Sequence, residues 1–569
     1  MKERLCIGLL LAAVVLVYGN TLRNEFTMDD GLYVVNNPQV THPSLRALFT
    51  PNKISNVFRP ATFATLALDQ SVSGGKPFGF HLLNVMLHAA VTWLLYVLLL
   101  AILGASPQSK SVALAAALLF AVHPIHTEAV ASIVGRAELL AAGFLLAAWI
   151  LHLRDWEIAA LICFLLALLS KESAAAFLVL VLVGDYTRGE WKPPLRYARI
   201  VGVTLVYIGL LWKVHGGHLG PASISLLDNP LADLPAGWRI LNALRVAWKY
   251  AGLLIYPANL SCDYSFNQIP VYLGWRHTLP AAVAAAVAAG VWVWALWKRH
   301  RELGLAGGIY LAGFATTSNI LVPTGTILGE RLAYLPSAGF CLLVALGWNW
   351  LREQAPLGDS RNQNWKRTLA FGALAALVGA LAVRTVVRNQ DWINNLVLYS
   401  AGVQAAPGSA KMHSNLGSQY MAYGKVDLAR VEFQTALRIY PDYPDALESY
   451  GLLELWMGHT QAAGRMMESA LNMSQRDNPN YDYMIVNLAA LLIQTGKMDG
   501  ALELLNREIA ESPQYARAWS NRAVIRYKRG EMASATADLE VALRLDPGNT
   551  QTQNLKKLLG TAAPAASPK

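Results

Sequence analysis

The stretch Gly79-Phe-His-Leu-Leu-Asn-Val-Met-Leu-His-Ala-Ala-Val-Thr-Trp-Leu-Leu-Tyr-Val-Leu-Leu-Leu-Ala-Ile-Leu-Gly104 contains no Asp, Glu, Lys or Arg. About 20 mostly apolar residues suffice for a helix to cross the hydrocarbon core of a bilayer, so this run reads as a transmembrane helix. His81, Asn84 and His88 are spaced i, i+3, i+7 and share one face of it. Polar side chains inside a membrane helix face a cavity or a neighbouring helix, and hydrogen bonding between helices is the plainer reading of this stripe.

Working outward, further apolar runs lie near 4–19, 110–122, 126–152, 156–170, 172–185, 197–214, 279–297, 304–322, 332–351 and 368–387, giving about eleven spans. The first run follows Lys2, Glu3 and Arg4 and resembles a signal peptide. Residues Tyr18 to Asn24 offer no small-x-small cleavage site, so an uncleaved anchor with a cytoplasmic N-terminus is expected. Alternation from that start puts Lys110, Arg154, Arg188 to Arg199, Lys298 to Arg301 and Arg352 to Arg367 on the cytoplasmic side, as the positive-inside rule requires. Residues 238–256 are apolar but carry Arg239, Arg245 and Lys249; they read as an interfacial helix in the outer face. The opposite, extracytoplasmic side then holds the loop 20–78, the turn His123–Glu128, Lys171-Glu172, the loop 215–278, the turn Val322–Leu335 and everything beyond the last span.

Composition agrees. Of 569 residues, 15% are charged and 54% hydrophobic, against about 25% charged in soluble domains. A uniformly soluble enzyme, a disordered chain and a disulfide-rich scaffold are excluded. Residues 409–569 carry 17 basic and 17 acidic side chains, so residues 1–408, with 30 and 20, hold the whole net charge of +10. Those positive residues cluster at the ends of apolar runs, which argues for membrane topology and against nucleic acid. Cys6, Cys163, Cys262 and Cys341 form no disulfide or metal pattern.

The C-terminal part is a repeat. Gly-Lys, Gly-His, Gly-Lys and Gly-Glu pairs begin at Gly424, Gly458, Gly496 and Gly530, with steps of 34, 38 and 34 residues. Ala429, Ala463, Ala501 and Ala535 share one phase, as do Ala436, Ala470 and Ala542, and Pro441, Pro513 and Pro547 close helices. This period with small residues at helix contacts matches tetratricopeptide repeats, with units at about 410–443, 444–477, 482–515 and 516–549. Such arrays bind peptide or protein in a concave groove; a passive spacer is the plainer alternative. The fold expected is therefore all-α: a polytopic membrane bundle over 1–395 with its first extracytoplasmic loop at 20–78, a linker at 396–409, four repeats over 410–549 and a tail at 550–569.

The candidate chemistry lies on the extracytoplasmic side. Asp29 and Asp30, in Phe26-Thr-Met-Asp-Asp30, follow the first span, and a carboxylate there can take a proton from an attacking hydroxyl; an isolated Asp-Asp is more often a solvated or capping pair. Arg59 lies in the same loop. Glu128, Ser132 and Arg136 are spaced i, i+4, i+8 along the run that opens with His123-Pro-Ile-His126, and Glu138 follows. The His123, His126 and Glu128 spacing matches no metal signature and Pro124 separates the histidines, so no metal site is expected. Lys171-Glu172 interrupts two apolar runs, and Glu330-Arg331 sits in Gly329-Glu-Arg-Leu-Ala-Tyr-Leu-Pro336. Charged groups at bilayer depth are functional candidates, with internal ion pairs as the plainer reading. Fixed cations at this surface would hold a lipid-linked phosphate, and a carboxylate would activate an acceptor hydroxyl. There is no phosphate-cradling glycine loop, no Gly-x-Ser-x-Gly elbow and no nucleotide fingerprint.

Phe26 to Asn37, Phe58 to Asp69, Gly79 to His88, Phe120 to Leu140, Ser170 to Ser173, Tyr264 to Pro270, Gly329 to Phe340 and the repeats together resemble the transmembrane and tetratricopeptide-repeat-containing O-mannosyltransferases of animals, within the GT-C membrane glycosyltransferases. The resemblance implies a GT-C-like bundle, transfer of mannose from a polyprenyl-phosphate carrier to Ser or Thr hydroxyls of protein, and an acidic pair in the first outer loop. On this chain the pair is Asp29-Asp30, with Asp29 as base and Asp30 orienting. Arg136, Lys171 and Arg331 become candidates for the donor phosphate, and Arg59, His81, His123, His126, Glu128, Glu138, Glu172 and Glu330 for substrate binding. The expected partners are the lipid-linked sugar, membrane lipid and an acceptor polypeptide held by the repeats. No cofactor is expected, and the part of a divalent ion stays open. With four repeats, fewer than the animal enzymes, a bacterial inner-membrane relative is expected, with a carrier such as undecaprenyl phosphate; sugar and acceptor stay open. Two rivals remain: a membrane-anchored scaffold, which would need one span rather than about eleven, and a transporter of lipid-linked sugars, which would show inverted repeats.

Overall fold

The computed structural model describes residues 3–51, 57–104, 106–217, 224–353, 361–476 and 478–562. Parts of the first outer loop (52–56), the outer loop 215–278 (218–223), the cytoplasmic loop 352–367 (354–360) and the tail (563–569) lie outside them. The chain forms two compact units, Met1–Met412 and His413–Lys569.

In the first unit each expected apolar run contains a helix, with a break at 132–135 in the run 126–152 and a helix end at Ala315 in the run 304–322. Six helices are long and apolar enough to cross a membrane: Glu3–Arg23, Pro77–Leu103, Arg136–Leu153, Pro194–Val214, Trp275–Trp297 and Trp365–Gln390. The bent pair Pro107–Val122 and Pro124–Ala131 makes a seventh if it counts as one span. The remaining expected runs are the shorter helices Glu157–Ser170, Phe177–Arg188, Arg301–Ala315 and Pro336–Glu353, of 14, 12, 15 and 18 residues. At 1.5 Å per residue the shortest covers about 18 Å, less than the ~30 Å hydrocarbon core. Six or seven of the expected runs meet the length and composition of a full span, and the others form shorter or less apolar helices. Helix Ala236–Ile255 carries the three basic residues on an otherwise apolar sequence and buries Asn242, Val246, Tyr250 and Leu253 along one face. That amphipathic division keeps it out of the set of spans.

Small residues set the packing. Helix Pro107–Val122 buries Ala113, Ala115, Ala116, Ala117 and Ala121, which lets neighbouring backbones approach closely where no hydrophobic drive exists between helices in lipid. At Gly339 a Cβ would stand 2.4 Å from the Ala306 carbonyl, so only glycine lets helices Arg301–Ala315 and Pro336–Glu353 meet there. The outer helices leave large apolar side chains such as Leu205, Val206, Val287 and Val383 exposed, the surface expected to face acyl chains.

The expected linker is in fact structured: helix Asn395–Ala405 buries Leu398 and Tyr399 within the first unit. The second unit is a stack of helix pairs, Val426–Ile439, Pro444–Trp456, Thr460–Met473, Tyr481–Gln494, Met498–Glu511, Ala516–Lys528 and Met532–Leu545 in succession. The turn glycines 424, 458, 496 and 530 all adopt left-handed φ values of 68–86°, which spares the Cβ clash that any other residue would meet. The in-phase alanines 429, 463, 501 and 535 are completely buried. Longer side chains there would separate the paired helices.

Candidate functional site

The loop after the first helix turns sharply at Met28, whose φ of 51° is left-handed and costs a non-glycine residue about 1–2 kcal/mol. It is held there because the Met28 N–H donates to Asn395 Oδ1 at 2.7 Å and the Glu25 N–H to the Ile393 carbonyl at 2.9 Å. After this turn the two acids part. Asp30 is fully buried; its Oδ2 accepts from the Thr27 N–H at 2.9 Å and its Oδ1 from the Val134 N–H at 3.1 Å. Burial pushes its carboxyl up to about 7 against those donors. Asp29 is only half-buried, and its carboxylate has no hydrogen-bond or ion-pair partner among the described residues.

Its charge acts on Arg331. The Arg331 backbone N–H donates to Glu128 Oε2 at 2.9 Å and its Nη1 to Glu128 Oε1 at 2.6 Å. Nε and Nη2 are uncommitted among the described residues, and the side chain is 31% exposed, while Glu128 is 1% exposed. Burial works against the Arg331 charge, but Glu128, then Asp29 and Glu138, outweigh it and raise its pKa. Lys171 pairs with Glu138, both nearly buried. Arg59 makes a forked pair with Glu172, Nη2 to Oε1 at 2.7 Å and Nε to Oε2 at 3.1 Å. The charges of Arg59, Glu172 and Arg331 also act on Lys171. Asp29, Arg59, Glu128, Glu138, Lys171, Glu172 and Arg331 thus form one electrostatic neighbourhood, drawn from the first loop and three inter-helix turns.

The other candidates lie in packed structure behind it. Arg136 is completely buried and tied down: Nη2 to Asp69 Oδ2 at 2.6 Å and to the Phe80 carbonyl at 2.9 Å, Nε to Asn84 Oδ1 at 2.9 Å and Nη1 to the Thr65 carbonyl at 3.2 Å. The expected single helical face carrying Glu128 and Arg136 does not exist. The helix breaks after Ala131 and restarts at Arg136, because Asn84 Nδ2 captures the Ser132 carbonyl at 2.9 Å and Asp30 the Val134 N–H. Gly135 permits the turn: a Cβ there would lie 2.4 Å from the Ala129 carbonyl.

The histidines are interior too. His81 is buried against the backbone of Asn24 and Glu25. His123 Nε2 meets the Leu254 carbonyl at 3.0 Å, and His126 Nε2 meets Ser337 Oγ at 2.7 Å. His126 also stacks within a cluster of Phe120, His88 and Tyr334. Glu330 faces away from Arg331. Its Oε1 accepts from the Ser261 N–H at 2.6 Å and Tyr264 Oη at 2.8 Å, and Oε2 lies 3.6 Å from Arg388 Nη2. Burial raises its carboxyl to about 7. Among the described residues no group of three or more His, Cys, Asp or Glu is arranged to hold a metal ion.

Sequence reasoning missed Asp69, Arg388 and Asn395. Asp69 and Asn395 look like ordinary surface polar residues in sequence. Arg388 carried a signal: it is a cation three residues before Asp391 at the end of an apolar run, and the structure pairs them at 2.8 Å.

The fold and site define a polytopic, all-helical membrane protein with a charged site where helix ends meet, joined to a tetratricopeptide array. Known proteins add a family. Residues 220–287 match the family described as Protein O-mannosyl-transferase TMTC, DUF1736, and residues 486–550 match the tetratricopeptide repeat. The chain is 31% identical over 455 residues to a protein O-mannosyl-transferase of Caenorhabditis elegans, covering 76% of this chain and 63% of that one. It is 27% identical over 604 residues to protein O-mannosyl-transferase TMTC3 of Mus musculus, covering 95% and 64%. The chain therefore spans somewhat less than two thirds of the length of these relatives. Among solved structures, the tetratricopeptide protein YrrB is 19% identical, covering 33% of this chain and 91% of that chain, with a TM-score of 0.24.

Proposed function

We propose that this protein is an integral membrane O-mannosyltransferase that uses a polyprenyl-phosphate-linked mannose. The observation that carries the reading is Asp29, a half-buried carboxylate without a hydrogen-bond or ion-pair partner among the described residues, whose charge acts on an arginine with Nε and Nη2 uncommitted among them. In one displacement Asp29 removes the proton from a Ser or Thr hydroxyl, the oxygen bonds to the anomeric carbon, and the bond from that carbon to the phosphate oxygen breaks. Polyprenyl phosphate leaves with the bonding electrons. Arg331, supported by Lys171 and Arg59, balances the charge that gathers on the phosphate. Glu128 is a poor alternative base because it is buried and doubly bonded to Arg331. Asp30 and Arg136 act as positioning residues that shape the loop and the helix break. No cofactor is invoked.

The basic loops argue for transfer on the extracytoplasmic face of the membrane, with the repeats presenting the acceptor polypeptide. The names of the relatives support mannose and a protein acceptor.

The test uses purified protein in nanodiscs with polyprenyl-phosphate-linked radiolabelled mannose and a membrane-protein extract. Wild type should label protein. Asp29→Asn should lose at least about a hundredfold in rate, the lower end of a general base's contribution, with an unchanged melting temperature. Asp30→Asn should instead lower the melting temperature, because an amide in place of the carboxylate turns one acceptor into a donor facing an N–H. Wild-type rates in Asp29→Asn would sink the assignment. Absence of transfer by wild type, with proteins co-purifying through the repeats, would favour the scaffold.

A further inference from the structure

Between helices Ala236–Ile255 and Trp275–Trp297 lies a cleft of about 560 Å³ lined by the cations Arg245 and Lys249 and by the imidazole of His277. Arg245 and Lys249 are one helical turn apart, on a face flanking the buried one that carries Val246, Tyr250 and Leu253. Arg245 is fixed in place: its Nη1 donates to the Pro270 carbonyl at 2.9 Å, and its guanidinium lies 4.3 Å from the centre of the Tyr272 ring. The imidazole of His277 stacks on the same tyrosine, with centroids 4.4 Å apart. No carboxylate lines the cleft, and neither Arg245 nor Lys249 has an acidic partner among the described residues. This is the reverse of the charged site, where every cation is paired. The cleft wall continues onto helix Trp275–Trp297, whose Val283, Val287 and Val291 are more than half exposed.

We infer that this cleft is a binding site for an anionic phospholipid, its phosphate held by Arg245, Lys249 and His277 and its acyl chains laid along the apolar face of helix Trp275–Trp297. The volume fits a headgroup with glycerol rather than inorganic phosphate alone, since clefts of about 300–1,000 Å³ take drug-sized ligands. The absence of a carboxylate argues against the sugar-loaded carrier, because nothing in the cleft could activate an acceptor. Juxtamembrane cations attract anionic lipid, and here two are set in a shaped cleft. The inner face of helix Ala236–Ile255 touches the charged site: Tyr250 Oη accepts from the Gly329 N–H and donates to the Gly329 carbonyl, both at 3.0 Å, next to Arg331. A bound lipid would steady the turn that presents Arg331.

The inference stands apart from the transferase reading, because its test reads retained lipid and not transfer. The full chain is placed in nanodiscs of phosphatidylcholine with phosphatidylglycerol, and the lipid that stays bound on release into the gas phase is identified by native mass spectrometry. Wild type should retain phosphatidylglycerol in preference to phosphatidylcholine. The double variant Arg245→Gln, Lys249→Gln should lose that preference roughly tenfold or more, while Lys213→Gln, which removes a cation outside the cleft, should keep it. If the double variant does not fold, Lys249→Gln alone carries the test, since that side chain is exposed and makes no hydrogen bond or ion pair among the described residues. Equal loss in Lys213→Gln would reduce the effect to bulk charge and overturn the site. So would unchanged retention in the cleft variants. Displacement of phosphatidylglycerol by inorganic phosphate, or by polyprenyl phosphate at matched amounts, would overturn the phospholipid in favour of a free-phosphate or carrier site.

Discussion

Asp29 and Asp30 are adjacent in the chain and opposite in circumstance, because one left-handed residue before them sends one carboxylate to solvent and the other into two backbone N–H groups. The same contrast between a carboxylate's identity and its surroundings recurs in the repeats. Glu448 is buried in the second repeat, where Asn487 Nδ2 donates to its Oε1 at 2.8 Å and no cation reaches it. Burial lifts its carboxyl from the ordinary 4.5 to about 7. Between those values the folded chain binds more protons than the unfolded one, so stability falls as pH rises through this window and levels off above about 7. Glu448→Gln keeps the acceptor and removes the charge. It should match wild type near pH 4 and exceed it by about 1–3 kcal/mol at pH 8, read by urea unfolding of the repeats at both pH values. An equal difference at both would disprove the burial account. What the sequence reveals at this scale is residue type and sidedness. Asp29, Glu128, Glu138, Lys171, Glu172 and Arg331 were all visible as charges near helix ends on one side. Which of them are free was not visible, because Asp30 takes its second donor from Val134, more than a hundred residues away.

At the scale of elements, apolar period and helix-breaking residues placed the helices well, since each depends on local sequence alone. The break at 132–135 was hidden, because its cause is tertiary: Asn84 from the previous span and Asp30 from the first loop compete for backbone groups that a continuous helix would have used. Arg136 opens the helix that follows and binds helices Pro60–Ser73 and Pro77–Leu103 to it through Asp69, Thr65, Phe80 and Asn84. Asp69 was unreadable as its partner for the same reason. Removing one member of a buried ion pair costs about 3–5 kcal/mol, while replacing both with apolar groups costs far less. Arg136→Met should therefore lower the detergent melting temperature steeply, and Arg136→Lys should do so in part, since an ammonium cannot reproduce the planar fork. Arg136→Met combined with Asp69→Leu should recover much of the loss. A wild-type melting temperature in Arg136→Met, with weakened donor binding, would instead return Arg136 to the phosphate role that its sequence position suggests.

At the scale of the whole molecule the chain joins two kinds of solvent economy. The first unit leaves apolar helix faces uncovered and carries the excess positive charge at their ends, so the bilayer completes it. The second has as many acids as bases and closes its apolar surface by stacking repeats, so water suits it. The second step of the repeat shows how that stack tolerates irregularity. Four extra residues separate the second and third units, and Arg476, just before them, holds the junction: its Nη1 meets Glu508 at 2.7 Å and its Nη2 donates to Ser512 Oγ at 2.9 Å, clipping it to the end of helix Met498–Glu511. The array was legible because its period is long and its turn glycines repeat; the clip was not, because it is particular to one junction. If the repeats present the acceptor while the first unit does the chemistry, the two duties separate. A chain ended after Gly424 keeps the helix Ala410–Ala422 intact and should still mannosylate a short Ser/Thr peptide at a rate near wild type. On a whole acceptor protein its KM should rise at least tenfold, about 1.4 kcal/mol of binding, with kcat little changed. An equal fall on peptide and protein would make the repeats part of the catalytic fold. Unchanged KM on protein would leave the array free to bind something other than the acceptor, and the presentation role would have to be given up.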